Sequence, residues 1–293
     1  MKKMWNPWTQ LAAAVLLFFG VCGATTAQSQ SSQTGQSGQT QQPAQSQDKS
    51  KTPEAAPLTL DAAPPVSAEE DAAFKAFQAV PLSDQAKRIE LGEAFIQKYP
   101  QSRYLPTIYG SLTIAYMQAN QIQKMIDIGE KAVALTPNDV TTLAILSQTI
   151  SRVTNSNTPN AAQQLTKAED YSKRAIEIVP TLPKPPNLTD DAFAAAKNQA
   201  LVAAHSGLGL VYVKRGKNQE AIPEFETSIK LDPTPDPVNY YLLGIANKST
   251  SHFEDAIAAF NKCAEIPGSM QPTCKAQAED TKKKSATELS APK

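Results

Sequence analysis

Few side chains in this 293-residue sequence could carry acid–base, nucleophilic or metal chemistry. It contains two histidines, His205 and His252, and three cysteines. Imidazole and thiolate groups are common general bases, nucleophiles and zinc ligands, and a site needs several of them at a defined spacing. The sequence has no Cys-x-x-Cys pair, no His-Glu-x-x-His motif and no Gly-x-x-x-x-Gly-Lys-Ser/Thr phosphate loop. It therefore predicts no enzyme, no metal site and no cofactor.

Two further patterns only imitate functional motifs. Residues 206–213 (SGLGLVYV) are glycine-rich, but the glycines fall inside a predicted helix and lack the spacing of a dinucleotide loop. Asp190 and Asp191 follow Thr189 at a predicted helix start, where acidic side chains are favoured. We interpret them as part of a helix cap, and we interpret His205 as a packing residue.

The composition limits the class of partner and the class of fold. The 28 Lys and Arg residues balance 28 Asp and Glu residues, so there is no electrostatic footprint for nucleic acid. The 22 prolines outnumber the 12 glycines, which favours helices broken by proline over a nucleotide-binding α/β sheet.

Residues 1–27 have the pattern of a secretory signal. Lys2 and Lys3 precede an apolar stretch at 11–21, and small residues follow at 23–27. The apolar stretch is shorter than the roughly 20 residues of a membrane-spanning helix. We expect an exported protein, periplasmic or associated with the cell envelope. An uncleaved signal acting as a membrane tether is the alternative, whereas Val21 before Cys22 disfavours a lipoprotein.

Residues 28–66 are predicted to be a disordered linker. Gln, Ser and Thr dominate up to residue 50, and prolines punctuate the rest. Such a segment cannot bury enough apolar surface to offset its chain entropy. A flexible spacer is expected, with a Gln-rich interaction segment as the alternative.

The remainder repeats. The unit that begins at Val202 has its characteristic residues at Leu208, Gly209, Tyr212, Ala221, Phe225 and Pro233. The next begins 35 residues later at Pro237, with Tyr240, Leu243, Gly244, Ala256 and Phe260 in the matching places and Asn247 where a tyrosine is expected. This spacing resembles the 34-residue tetratricopeptide repeat (TPR), in which each unit is an antiparallel helix pair. With the signal-like N-terminus, the resemblance suggests an exported bacterial TPR protein.

Earlier units resemble the same repeat less closely. Units begin at Pro106 and Val140; in the second of these a polar loop at 154–160 delays the second helix, and an insertion before Val202 contains a long Ala-rich helix. A degenerate helix pair precedes them at 72–80 and 83–99. A polar helix after residue 271 is expected to cap the stack. The predicted fold is all-α: a TPR-like right-handed superhelix of about four clear units, in a domain at 67–285 with a disordered tail at 286–293.

The resemblance also implies where a partner would bind. In TPR proteins, defined positions of each first helix face a concave groove. Carried onto this sequence, those positions give a candidate groove set: Ile114, Gln118, Gln148, Arg152, Leu210, Lys214, Tyr241, Ile245 and Lys248.

The two cysteines beyond the signal are predicted to form a disulfide. Cys263 lies on the last regular helix, and Cys274 on the first turn of the cap helix that should pack against it. Disulfides are compatible with an exported protein. Two free, buried thiols are the alternative.

Taken together, the sequence predicts a non-enzymatic scaffold in the cell envelope that binds a protein or peptide in the groove. The alternative is a structural subunit of an outer-membrane or cell-wall assembly, which would use the convex face or the inserted helix.

Overall fold

A computed structural model describes residues 66–290, with side chains of 288–290 left out. The predicted signal at 1–27 and all but the last residue of the linker at 28–66 lie outside the described residues. Within 66–290 the chain is all-helical, without strands, and no helix there is long and apolar enough to cross a membrane. Its eleven α-helices are α1 Ala68–Gln78, α2 Gln85–Lys98, α3 Leu105–Gln118, α4 Ile122–Leu135, α5 Val140–Val153, α6 Ala161–Ile178, α7 Asp190–Lys214, α8 Asn218–Leu231, α9 Pro237–Ser249, α10 Phe253–Glu265 and α11 Gln271–Ser290.

The helices pack as consecutive antiparallel pairs, which confirms the predicted fold class. The pairs α3–α4, α5–α6, α7–α8 and α9–α10 correspond to the four repeat units, while α1–α2 precede them and α11 packs on α10. A short pair cannot bury its apolar face alone, so each pair is stabilised by its neighbours.

Local capping explains several helix starts. The side chain of Ser67 accepts a hydrogen bond from the Glu70 N–H at the start of α1. Thr189 accepts one from the Ala192 N–H, which confirms the predicted cap of the long helix. These bonds satisfy backbone donors that the first helical turn leaves unpaired.

The C-terminal helix is longer than the sequence suggested. The domain was predicted to end at residue 285, but α11 continues to Ser290. Residues after 285 include good helix formers, and the Thr287 hydroxyl donates to the Lys283 carbonyl one turn back. The part of the predicted tail at 286–290 is therefore helical.

The apolar core is unevenly distributed. One large cluster runs through α1 to α7 and includes Ile108, Leu112, Met125 and Leu146, each no more than 1% exposed. The last two units have smaller separate clusters around Phe225 and Phe260.

Candidate functional site

The first helices of the four units carry the predicted groove residues, and α7 lies very close to α5. A methyl group added at Gly207 of α7 would lie 2.9 Å from the Ser147 hydroxyl and 3.1 Å from the Gln148 backbone nitrogen. Only glycine permits this approach, because any larger residue would push the helices apart.

The close approach buries the groove positions of the second unit. Gln148 is 7% exposed, and twelve of the fourteen residues of α5 are buried. Ile114 of α3 is 4% exposed and belongs to the large core cluster. Both residues therefore serve as core residues here, and little of either is open to a partner.

Arg152 connects two units rather than standing free. Its guanidinium lies 3.2 Å from the Asp236 carboxylate, and both side chains are at least three-quarters buried. The other carboxylate oxygen of Asp236 accepts from the Val238 N–H at the start of α9. The pair thus anchors the beginning of α9 to the end of α5.

Lys214 is bound to main-chain carbonyls. Its ammonium donates to the carbonyl oxygens of Arg152, at 3.3 Å, and Thr154. These carbonyls lie at the C-terminal end of α5, where the helix dipole favours a positive charge. Burial lowers the pKa of Lys214. We interpret Lys214 as a cap of α5 at the point where the polar loop begins.

The predicted groove residues on α9 pack against α10 and the C-terminal cap helix α11. Lys248 donates to Gln277 at 3.0 Å and pairs with Asp280 at 2.5 Å, both on α11. Tyr241 packs against Phe260 with ring centroids 5.9 Å apart. Ile245 packs on the Phe260 cluster, which includes Ala278 of α11.

The remaining predicted groove residues are half-buried. Gln118 accepts a hydrogen bond from Gln85 at 3.3 Å, which ties the end of α3 to α2. Leu210 of α7 packs against the Phe225 cluster while keeping part of its surface open. Of the nine predicted residues, Leu210, Tyr241 and Ile245 are the apolar ones that remain partly open, and all three lie on α7 or α9.

The two cysteines are joined in the structure. Cys263 of α10 and Cys274 of α11 form a disulfide with their Cα atoms 5.9 Å apart. Both are fully buried beside Tyr240, Tyr241 and Met270. The bond fixes the first turn of α11 against the last repeat, and its formation in solution stays a prediction.

The histidines have structural partners. His205 Nδ1 lies 2.6 Å from the Glu224 carboxylate, so the ring bridges α7 and α8. His252 Nδ1 lies 3.0 Å from the Thr250 hydroxyl in the turn before α10. Within 66–290, no group of three His, Cys, Asp or Glu side chains is placed to hold a metal ion.

One feature was not assigned a role from the sequence. A depression of about 390 Å³ lies over α9 between α8 and α10, and Tyr240, Leu243 and Asn247 contribute to its lining. The charged residues Glu226, Asp255, Lys262 and Glu265 also line it. Asn247 stands where the first and third units have a tyrosine, but buried Ile150 of the second unit also departs from tyrosine, so the sequence had no specific signal for the depression.

Comparison with known proteins agrees with the repeats. Models of the tetratricopeptide repeat match residues 202–235 and 238–269, which are the two units with the most regular spacing. No curated protein sequence matches the chain.

Several solved structures are similar. A thermophilic TPR protein of Thermus thermophilus is 18% identical over 72% of this chain and 98% of its own, with a TM-score of 0.43. MamA of AMB-1 is 16% identical over 68% of this chain and 96% of its own, with a TM-score of 0.46. A double mutant of MamA RS-1 is 15% identical over 69% of this chain and 96% of its own, with a TM-score of 0.49.

Proposed function

We propose that this protein is a non-enzymatic scaffold that binds a protein or peptide on the first helices of its two regular repeats. Tetratricopeptide repeats lie at residues 202–235 and 238–269. Repeat arrays of this kind present extended surfaces for partners. The observation that carries the proposal is the contrast in burial: the groove positions of α5 are closed, whereas Leu210, Tyr241 and Ile245 stay partly open.

The chemistry of this surface favours a partner with apolar anchors. The three partly open side chains are aliphatic or aromatic, and such residues contribute most of the binding energy in many interfaces. Arg152 and Lys248 already pair with Asp236 and Asp280, so their charge is partly neutralised within the chain. Recognition would therefore rely on shape and apolar contact more than on net charge.

We further propose that the protein works outside the cytoplasm, in the cell envelope. The support is the signal-like sequence at 1–27 together with the cysteine pair, because disulfides persist in oxidising compartments. Export followed by N-terminal sequencing tests this directly. A mature chain that begins after residue 27 or nearby supports it, and a cytoplasmic chain that retains Met1 contradicts it.

A matched pair of lysine variants tests the groove. Leu210→Lys places a charge among the partly open apolar side chains but keeps a long aliphatic stem. Ala194→Lys places the same charge on an exposed residue of the inserted part of α7. Partners are identified by cross-linking envelopes that contain the full chain, and their binding to each purified variant is then measured.

The two outcomes separate the groove from the alternative. Loss of partner binding in Leu210→Lys alone, with unchanged helicity, supports the groove. Loss in Ala194→Lys alone favours a structural subunit that uses the inserted helix. Arg152 and Lys214 are poor choices for this test, because each holds two helices together and its removal would disturb the stack.

A further inference from the structure

The depression over α9 lies where the first and third units have a tyrosine, whereas the second unit has Ile150 at that position. In the first clear unit, Tyr116 occupies this position, is 1% exposed, and donates its hydroxyl hydrogen to Glu93 of α2. Lys124 of α4 lies 5.4 Å from the Tyr116 ring centroid and 3.2 Å from the same Glu93 carboxylate. The site is therefore filled by an aromatic ring, an ammonium group and a carboxylate.

The third unit fills the same place in a similar way. Tyr212 lies under the ammonium of Lys217, 5.9 Å from its ring centroid. Glu169 of α6, the preceding second helix, pairs with Lys173 at 2.6 Å, and Lys173 interacts electrostatically with Tyr212. Ring, cation and carboxylate again occur together. Cation–π contact and charge pairing stabilise such an arrangement.

The last repeat lacks the ring and has two carboxylates around this place. Its residue at this position is Asn247, whose side-chain amide turns back and donates to the Leu243 carbonyl at 3.1 Å. Asp255 follows Asn247 by eight residues, just as Lys124 follows Tyr116. The last repeat therefore has a carboxylate where the first unit has an ammonium. Glu226 of α8 borders the depression from the other side.

The border of the depression carries more carboxylates than ammonium groups. Glu226, Asp255, Lys262 and Glu265 all line it. Lys262 pairs with Glu265 at 2.9 Å, and both of those side chains are more than half exposed. Within 66–290, Glu226 and Asp255 form no ion pair, so the border has a net negative charge. The depression has a volume of about 390 Å³ and is broadly open to solvent.

We propose that this depression binds an arginine side chain of a partner protein. The aliphatic stem would lie on Leu243, the guanidinium would stack on half-buried Tyr240, and Glu226 and Asp255 would accept its hydrogen bonds. In the first and third units the chain itself provides an aromatic ring and a lysine ammonium at this position: Tyr116 with Lys124, and Tyr212 with Lys217. An arginine from a partner would supply a flat group and a positive charge at the equivalent place in the last repeat. The site is lined by α8, α9 and α10, and it includes none of the partly open groove residues Leu210, Tyr241 and Ile245.

The test uses the full chain labelled with ¹⁵N and two short probes. The first is acetyl-Gly-Arg-Gly-amide, and the second replaces arginine by citrulline, which keeps the shape but removes the charge. We expect the arginine probe to cause saturable amide shifts in α8, α9 and α10, with at least ten-fold weaker binding of the citrulline probe. Equal shifts with both probes would overturn the proposal.

Two variants locate the site. Asn247→Tyr introduces the ring found in the first and third units and should fill the depression, so binding should weaken at least ten-fold while the melting temperature is unchanged or raised. Glu226→Gln with Asp255→Asn removes the charges without adding bulk, and should also weaken binding at least ten-fold. Unchanged binding in the double variant would contradict the proposal even if Asn247→Tyr failed to fold.

The exposed variant on the inserted part of α7 provides the control. Ala194→Lys lies outside the depression and should leave the arginine titration unchanged. If the groove proposal is wrong, only the partner-binding assay will show it. If the arginine-site proposal is wrong, only the titration with the arginine probe will show it.

Discussion

The two regular repeats at 202–269 and the irregular block at 140–201 differ in how they bury their helices. In the regular repeats, each pair closes around one aromatic ring that faces a glycine: Phe225 against Gly209, and Phe260 against Gly244. In the irregular block, α5 is enclosed by α4, α6 and α7, and even its polar residues are buried. Regular spacing therefore marks the part of the stack that stays open, while the deepest burial coincides with the insertions.

Two parts of α7 enclose α5. The extra chain before the third unit extends α7 toward its N-terminus, so that Ala200 and Leu201 pack with Val140 and Val179. Gly207, within the regular part of α7, allows the close approach that covers Ser147 and Gln148. The insertion therefore adds core at the start of α5, and a glycine of the regular unit closes the middle of that helix.

The largest expected effect comes from removing an aromatic ring in a regular repeat. Phe260 is fully buried, so Phe260→Ala should lower the free energy of unfolding by about 3–5 kcal/mol, the loss of transfer energy plus a cavity. Because its cluster is small, hydrogen exchange should rise in α9 to α11 and much less in α3 to α6. Denaturant unfolding with amide exchange measures both.

Phe253→Ala is the control for that variant, since Phe253 lies on the same helix but is only half-buried. It should cost clearly less. If Phe260→Ala increased exchange equally throughout the chain, the contrast between the two regions would fail, because the stack would then unfold as one unit.

The disulfide allows a second test of this comparison, at the C-terminal end of the regular repeats. Replacing both cysteines by alanine should cost about 2–3 kcal/mol, because the unfolded chain gains the entropy that an 11-residue separation restricts. The loss should appear as earlier release of α11. Intact-mass measurement with alkylation of the unreduced protein checks the bond itself, and two alkylated thiols would contradict it.

Gly207→Ala tests the closure of the irregular block. The added methyl group would lie 3.1 Å from the backbone of α5, so the helices must separate at a cost of about 1–3 kcal/mol. Alanine recovers about 1 kcal/mol of helix propensity, so the net loss should be about 0–2 kcal/mol, which thermal unfolding measures. Gly268→Ala, with nothing within 4 Å, is the control; equal effects at both sites would show that the close approach of α5 and α7 has no energetic weight.

The smallest effect concerns the start of α5. Asp139 accepts from the N–H groups of Thr141 and Thr142, and burial raises its pKa above the usual 3.8. Asp139→Ala should cost about 1 kcal/mol, the usual value of a lost cap. Asp139→Asn keeps the acceptor oxygen and should cost less.

The difference in stability between the wild-type chain and Asp139→Asn should depend on pH, and the raised pKa of Asp139 determines its direction. A carboxyl whose pKa is raised on folding stabilises the fold below its ordinary pKa of 3.8, and this contribution is lost as the pH rises through the raised value. The wild-type chain should therefore lose stability relative to Asp139→Asn as the pH rises through that range. A difference that is constant with pH would show that burial does not disfavour the ionised carboxylate.

Much of the fold could be read from the sequence because it depends on short-range patterns. The places of Gly209, Phe225, Gly244 and Phe260 repeat at a fixed period, and a glycine facing an aromatic ring allows only close antiparallel packing. Thr189 could be recognised as a cap because its hydrogen bond is to a residue three positions away. The groove set was harder, since it assumed that every unit presents its first helix alike.

What only the tertiary structure decided is which of those side chains remain available. The sequence determined the helix pairs, their order and the departure at Asn247, because these follow from local spacing. It did not determine that Gln148 is covered by α7, or that Lys248 is bound to α11, because these contacts join residues far apart in the chain. Burial and pairing depend on how whole helices pack across the insertions, and a local sequence pattern does not specify those long-range contacts.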